Sequence, residues 1–208
     1  MKTDSVFFYP WIGKDYHNGG VFGNKLLILG ESHYCGNGCD GCGTDLCAEC
    51  HSFTTNVIKE YLNPDLPRKD WMRTFVKFER SLVNHITEWE ERQLIWDSVA
   101  FYNYLQISLN DARQSGTRQQ YVDAIDPFFK VLDNLKPDLM IVWGYRLWDL
   151  LPETNWKNGE EKRVGDYRVC HGRYTTSTGF AVRTVCVYHP SAGYSWDFWY
   201  KVIKSVCE

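Results

Sequence analysis

The chain has 208 residues, 44% of them hydrophobic, 24% charged and 16% aromatic, the ordinary balance of one soluble globular domain with a full core. A net charge of −3 excludes a global basic field, so any nucleic-acid binding has to come from a local basic patch. No apolar run is long enough to span a membrane and residues 1–11 lack the apolar stretch of a signal peptide, so the expected location is the cytoplasm, where eight Cys are expected to be thiols or metal ligands rather than disulfides.

Residues 1–24 contain PWIG and HNGG and are expected to wrap a sheet edge irregularly. Residues 25–34, KLLILGESHY, begin with four apolar residues without alternation, the pattern of a strand buried on both faces. Gly30 is expected to turn the chain, and Glu31, Ser32, His33 and Tyr34 follow at once. Ligands of open α/β sheets bind beyond the carboxyl ends of strands, so these four groups are either a site or an ordinary polar strand exit.

A Cys-rich loop spans residues 35–51. Residues 54–62 read as a short helix capped by Thr54 or Thr55 and stopped by Asn63-Pro64. A second helix follows Asp70, with Trp71, Phe75, Phe78, Leu82 and Ile86 at helical spacing. The second strand signal covers 95–105. Residues 119–135 carry one apolar stripe, with Pro127 kinking the helix or marking its start behind Asp126. Residues 139–143 form the third buried strand, ending at Gly144, and 145–151 a short helix. Residues 152–166 read as a loop, 167–170 and 181–188 as strands, and 196–207 as a last amphipathic helix. The alternation predicts a single α/β domain over 1–208, a three-layer α/β/α sandwich around a mainly parallel four-stranded sheet.

Two constellations carry chemistry. Polar groups stand at three strand ends: Glu31 to Tyr34, Asn103, and His189-Pro190-Ser191. The Cys loop has the spacing Cys35-x3-Cys39-x2-Cys42-x4-Cys47-x2-Cys50-His51, with glycines between for tight turns. Two C-x2-C pairs so close together point to a metal. Structural zinc on Cys39, Cys42, Cys47 and Cys50 is the leading expectation, with Cys35 or His51 as substitute ligand and an iron–sulfur cluster as the alternative.

The strand-end motifs resemble the uracil-DNA glycosylase superfamily. GESHY stands where that superfamily has GQDPY or, in its iron–sulfur branches, GEAPG; SVAFYN, IVWGYRLWDLL and YHPSAGYS follow in the matching order. The resemblance implies hydrolysis of the N-glycosidic bond of a flipped uracil or other damaged pyrimidine during DNA repair. By it, Glu31 takes the carboxylate role and His189 stabilises the leaving base. Asn103 reads the base edge, Tyr34 walls the pocket against a methyl group, and Phe53 stacks on the base. Ser191 and the Pro190 backbone hold a phosphate, and Tyr194 is the one large candidate for a residue that penetrates DNA. Ser32 lies within the substrate motif where one branch has a catalytic Asp, and His33 where both branches have Pro. The implied partner is DNA or a nucleobase or nucleotide, bound by a monomer. The alternative is a catalytically inactive nucleotide- or nucleic-acid-binding module of the same fold.

Overall fold

The computed structural model of the protein describes residues 5–35, 48–111 and 114–207. In chain order the strands are β1 (Trp11–Ile12), β2 (Leu26–Gly30), β3 (His33–Tyr34), β4 (Val99–Asn103), β5 (Ser108–Leu109), β6 (Leu139–Trp143), β7 (Trp156–Asn158), β8 (Arg163–Val164), β9 (Tyr167–Arg168), β10 (His171–Thr175) and β11 (Ala181–Val187). The helices are α1 (Phe53–Tyr61), α2 (Met72–Val83), α3 (Trp89–Asp97), α4 (Arg118–Asp123), α5 (Ile125–Leu135), α6 (Tyr145–Trp148) and α7 (Trp196–Cys207).

The chain is α/β, and its main sheet has seven strands in the order β1-β4-β2-β6-β11-β10-β7. The expectation of a four-stranded sheet is corrected here. The four strands read from sequence are the parallel centre, β4-β2-β6-β11, and antiparallel strands extend both edges. The additions escape a search for apolar runs. β1 is two residues long, and β10 alternates a buried Gly172 and Tyr174 with polar His171, Arg173 and Thr175. Their pattern is that of a sheet margin with one covered face.

Leu26 and Ile28 point into one core with α1, α2, α3 and α7, while Leu27 and Leu29 point into the other with α4, α5 and α6. Helices therefore cover both faces, and this is why β2 shows no polar alternation. Each fully buried aliphatic side chain contributes about 1.5–3 kcal/mol of transfer free energy.

Helix α3 covers residues 89–94, to which the sequence pattern assigned no element, and takes the first three residues of the strand expected over 95–105. Its buried face is built from Arg92, Ile95, Trp96 and Asp97, and the two charged members break the apolar stripe. The stripe over 119–135 is divided at Ala124 into α4 and α5. Thr117 caps α4 in a reciprocal capping box with Gln120, and Pro127 sits in the first turn of α5, where its missing N–H costs nothing. Among the described residues no helix is long and apolar enough to cross a membrane.

Candidate functional site

Register puts the ends of the parallel strands at one level. Gly30 pairs with Asn103, Leu29 with Val142, and Trp143 with Val187. From β2 the chain goes first to β4 on one side and then to β6 on the other, so a topological switch point lies between the carboxyl ends of β2 and β6. Glu31 leaves one of these ends and Arg146 the other.

They meet. Arg146 donates to Glu31 Oε2 from Nε at 2.8 Å and from Nη2 at 2.6 Å, and Tyr121 donates its hydroxyl to Oε1. The Glu31 side chain is 8% exposed and that of Arg146 43%. The hydrogen bond to Glu31 raises the Arg146 pKa; burial, followed by the bond to Glu31, pushes the Tyr121 phenol up to about 12. A carboxylate has about four acceptor positions. Three are used among the described residues, which leaves one on Oε1 with respect to them.

His189 follows β11 at the same edge. Gly144 makes room for it: its φ is +94°, and a Cβ there would lie 3.3 Å from the Cβ of His189. The backbone N–H of Ser191 donates to His189 Nδ1 at 3.2 Å, and Ser191 Oγ lies 2.7 Å from the same nitrogen. A ring nitrogen that accepts an N–H carries no proton, so the neutral ring holds its hydrogen on Nε2. Nε2 has no hydrogen-bond partner among the described residues. Burial lowers the His189 pKa; nearby Glu31 raises it and Arg146 lowers it. Pro190 is buried and Ser191 exposed. Lys77 of α2 donates to the Ala192 carbonyl at 3.3 Å, which brings a cation to this loop.

Asn103 and His33 form a drier group. The Asn103 amide nitrogen is 3.1 Å from His33 Nδ1, and His33 Nε2 is 2.9 Å from Thr54 Oγ1. Donation from Asn103 to Nδ1 and from Nε2–H to Thr54 satisfies the neutral ring. Burial pushes the His33 pKa down to about 3. Phe53 packs on His33 with centroids 4.5 Å apart. Oδ1 of Asn103 lies over Gly30, where a Cβ would stand 2.1 Å from it. Close approach, not a turn, explains Gly30, whose φ is not positive. Ser32 Oγ is buried without a hydrogen-bond partner among the described residues, as is Nε1 of Trp143, whose ring meets His189 edge to face at 6.0 Å. Tyr34 is 37% exposed and close enough to influence Arg146. Tyr194 is no surface probe: it is 8% exposed, bonded to Ser81 at 2.8 Å and stacked on Trp199.

Cys39, Cys42 and Cys47 lie outside the described residues. Cys50 is buried in a 3-10 turn over Ala48–Ser52 that leads into α1. His51 Nδ1 is 2.6 Å from the Phe7 carbonyl, so only Nε2 is left for a metal, the arrangement in which metal-bound imidazoles are commonly held.

No protein-family model matches the sequence, and no characterised protein matches it.

Sequence reasoning thus named Glu31, His189, Asn103 and their neighbours but missed Arg146 and Tyr121. Tyr121 was hidden as one member of an apolar stripe. Arg146 was legible: it stands two residues beyond the Gly that follows a buried strand, close to the place that drew attention to Glu31, one residue after Gly30.

Proposed function

We propose that the protein hydrolyses the N-glycosidic bond of a flipped uracil or another damaged pyrimidine in DNA, as its motifs imply. The observation that carries this reading is the Nε2–H of His189, a neutral donor without a partner among the described residues, at the edge where Glu31 and Arg146 meet. Bond cleavage builds negative charge on the departing base and positive charge on the sugar. A fixed neutral donor at the base oxygen stabilises the first without costing a proton. Glu31 faces the sugar side. Its remaining Oε1 lone pair orients the attacking water, while Arg146 and Tyr121 fix its rotamer.

The other candidates take supporting roles in this reading. Asn103 keeps one amide hydrogen and Oδ1, a donor–acceptor pair suited to a pyrimidine edge. Tyr34 and Phe53 supply ring walls, and the unpartnered Ser32 hydroxyl supplies a further contact. The Ser191 hydroxyl and the Pro190 backbone hold a phosphate beside Lys77, the local cation that a chain of net negative charge requires. The helices on both faces of the sheet agree with the three-layer arrangement the motifs imply. Structural zinc on Cys39, Cys42, Cys47 and Cys50 belongs to the same reading, since four thiolates form its usual closed donor set. Elemental analysis of the purified protein is expected to give about one zinc per chain; iron with sulfide would replace zinc by a cluster. The protein is read as a monomer acting in the cytoplasm.

A second reading keeps the fold and drops the chemistry. Glu31 already accepts three hydrogen bonds and Ser32 stands where one branch has an Asp, so the pocket would bind a nucleotide or nucleic acid without cleaving it. Single-turnover base release from uracil-containing and other damaged oligonucleotides decides between the two. Release by the unaltered protein, reduced roughly 10²–10³-fold in His189→Ala with DNA binding retained, is the expected result. Binding without release from any substrate leaves the module.

A further inference from the structure

A second concave site lies beyond α6 and shares no residue with the strand-end cluster. Register explains its floor. Trp156 pairs with Tyr174 and Asn158 with Gly172, so these four lie on one face of the β7–β10 ladder. Gly172 leaves the space into which the Trp156 ring folds: a Cβ there would stand 2.4 Å from Trp156 Cζ2. Trp148 closes the recess from α6, its ring 5.3 Å from that of Trp156 and turned by 87°. Trp156 and Tyr174 meet at 4.9 Å and 53°. Three rings at steep mutual angles thus wall a cleft of about 540 Å³, completed by Leu151, Pro152, Asp149 and Glu153.

The charge of the cleft has one sign. Asp149 and Glu153 are exposed, and among the described residues neither pairs with a cation, whereas Lys157 and Arg173 alternate to the other face of the ladder. Two of the three ring polar groups are already spent: Trp156 Nε1 donates to Asn158 Oδ1 at 2.8 Å and the Tyr174 hydroxyl to the Pro152 carbonyl at 2.7 Å. What remains on offer is ring surface and negative charge, beside two neutral donors, the Asn158 amide and the Trp148 indole N–H. The carboxylates, unpaired among the described residues, select against anions. Together with the rings they favour a cation that carries its charge on an apolar surface. We propose that this cleft binds a small organic cation bearing a methylated or quaternary ammonium group.

Titration of the full chain with choline by saturation-transfer NMR and calorimetry tests this, with the neutral carbon isostere of choline as the matched control. The expected result is saturable choline binding, weakened roughly 5–30-fold in Trp148→Leu and likewise when the isostere replaces choline. The exposed pair Asp149→Asn with Glu153→Gln, which leaves every ring in place, is expected to weaken choline and leave the isostere unchanged. Equal affinity for choline and isostere, insensitivity to both sets of substitutions, or no binding at all overturns the proposal.

Discussion

The protein holds two buried carboxylates beside an Arg and a Tyr, and they are in different conditions. Glu79, on α2, is fully buried and receives Tyr61, Thr87, Trp96 and Arg92, so each of its oxygens has at least two donors. The Arg92 side chain is 9% exposed and lies over the rings of Tyr61 and Trp89. Among the described residues Glu31 has one donor fewer than its capacity, and its Arg146 is 43% exposed. The imidazoles repeat the contrast. His33 uses both ring nitrogens inside the protein, whereas among the described residues His189 keeps Nε2–H uncommitted. Burial and pairing alone do not separate a structural group from a chemical one; unspent hydrogen-bonding capacity near solvent does.

The largest test removes the spent carboxylate. Glu79→Ala leaves Arg92 buried without its partner and is expected to cost about 3–5 kcal/mol in urea unfolding. Glu31→Gln is expected to cost under about 1 kcal/mol, because water solvates the exposed guanidinium of Arg146. In base release the order reverses. Glu31→Gln is expected to slow it by roughly 10²–10³ at nearly unchanged DNA affinity, because the lost interaction acts in the transition state. Comparable destabilisation by both substitutions would break the contrast between them.

How much of this was legible beforehand follows the same division. Strands buried on both faces announce themselves: β2, β4, β6 and β11 all stand where apolar runs were read, although the run over 95–105 shrank to Val99–Asn103, with Asn103 ending β4 and His189 two residues beyond β11. The edge strands and α3 were not visible, since their buried faces include Gly172, Arg92 and Asp97, residues whose burial depends on partners distant in sequence. The same holds for the site. Glu31 could be picked out from its place after a strand, but its bond to Tyr121, 90 residues away, is a product of the fold. Gly30 was noticed for the wrong reason, because a close approach by Asn103 leaves no local signature.

The two imidazoles give a pH test. The fold keeps His33 neutral down to about pH 3, while the unfolded chain protonates it near the ordinary 6.5. Between these values the unfolded state binds the extra proton. The contribution is therefore complete above about 6.5 and is lost as the pH falls toward 3. His33→Gln removes this term. Between pH 6.5 and 4 the variant is expected to lose about 3 kcal/mol less stability than the unaltered protein. Parallel stability curves would show that His33 is solvated in the fold. His189, whose pKa also lies below the ordinary value, contributes in the same direction and is expected to affect release as well: activity falls as the pH drops through its pKa, because the protonated ring no longer accepts the Ser191 N–H.

The smallest expected effect is the most specific. Tyr121→Phe and Tyr61→Phe each delete one hydroxyl from a carboxylate and change little else. At Glu79 the lost donor cannot be replaced, since the site is closed to water, and about 1–3 kcal/mol of stability is expected to go with it. At Glu31 the neighbouring Oε1 position already has spare capacity and lies close to the exposed Arg146, so water can fill the gap; the expected cost is about 0.5–1 kcal/mol or less. The rate carries the other half of the test. Tyr121 holds Oε1, the oxygen whose free lone pair is to orient the attacking water, and a looser carboxylate misplaces it. Base release is expected to fall about 5- to 10-fold in kcat with KM nearly unchanged, a loss of positioning rather than of binding. A rise in KM with kcat unchanged, or a stability loss equal to that of Tyr61→Phe, would place Tyr121 with the structural residues and leave Arg146 alone to hold Glu31.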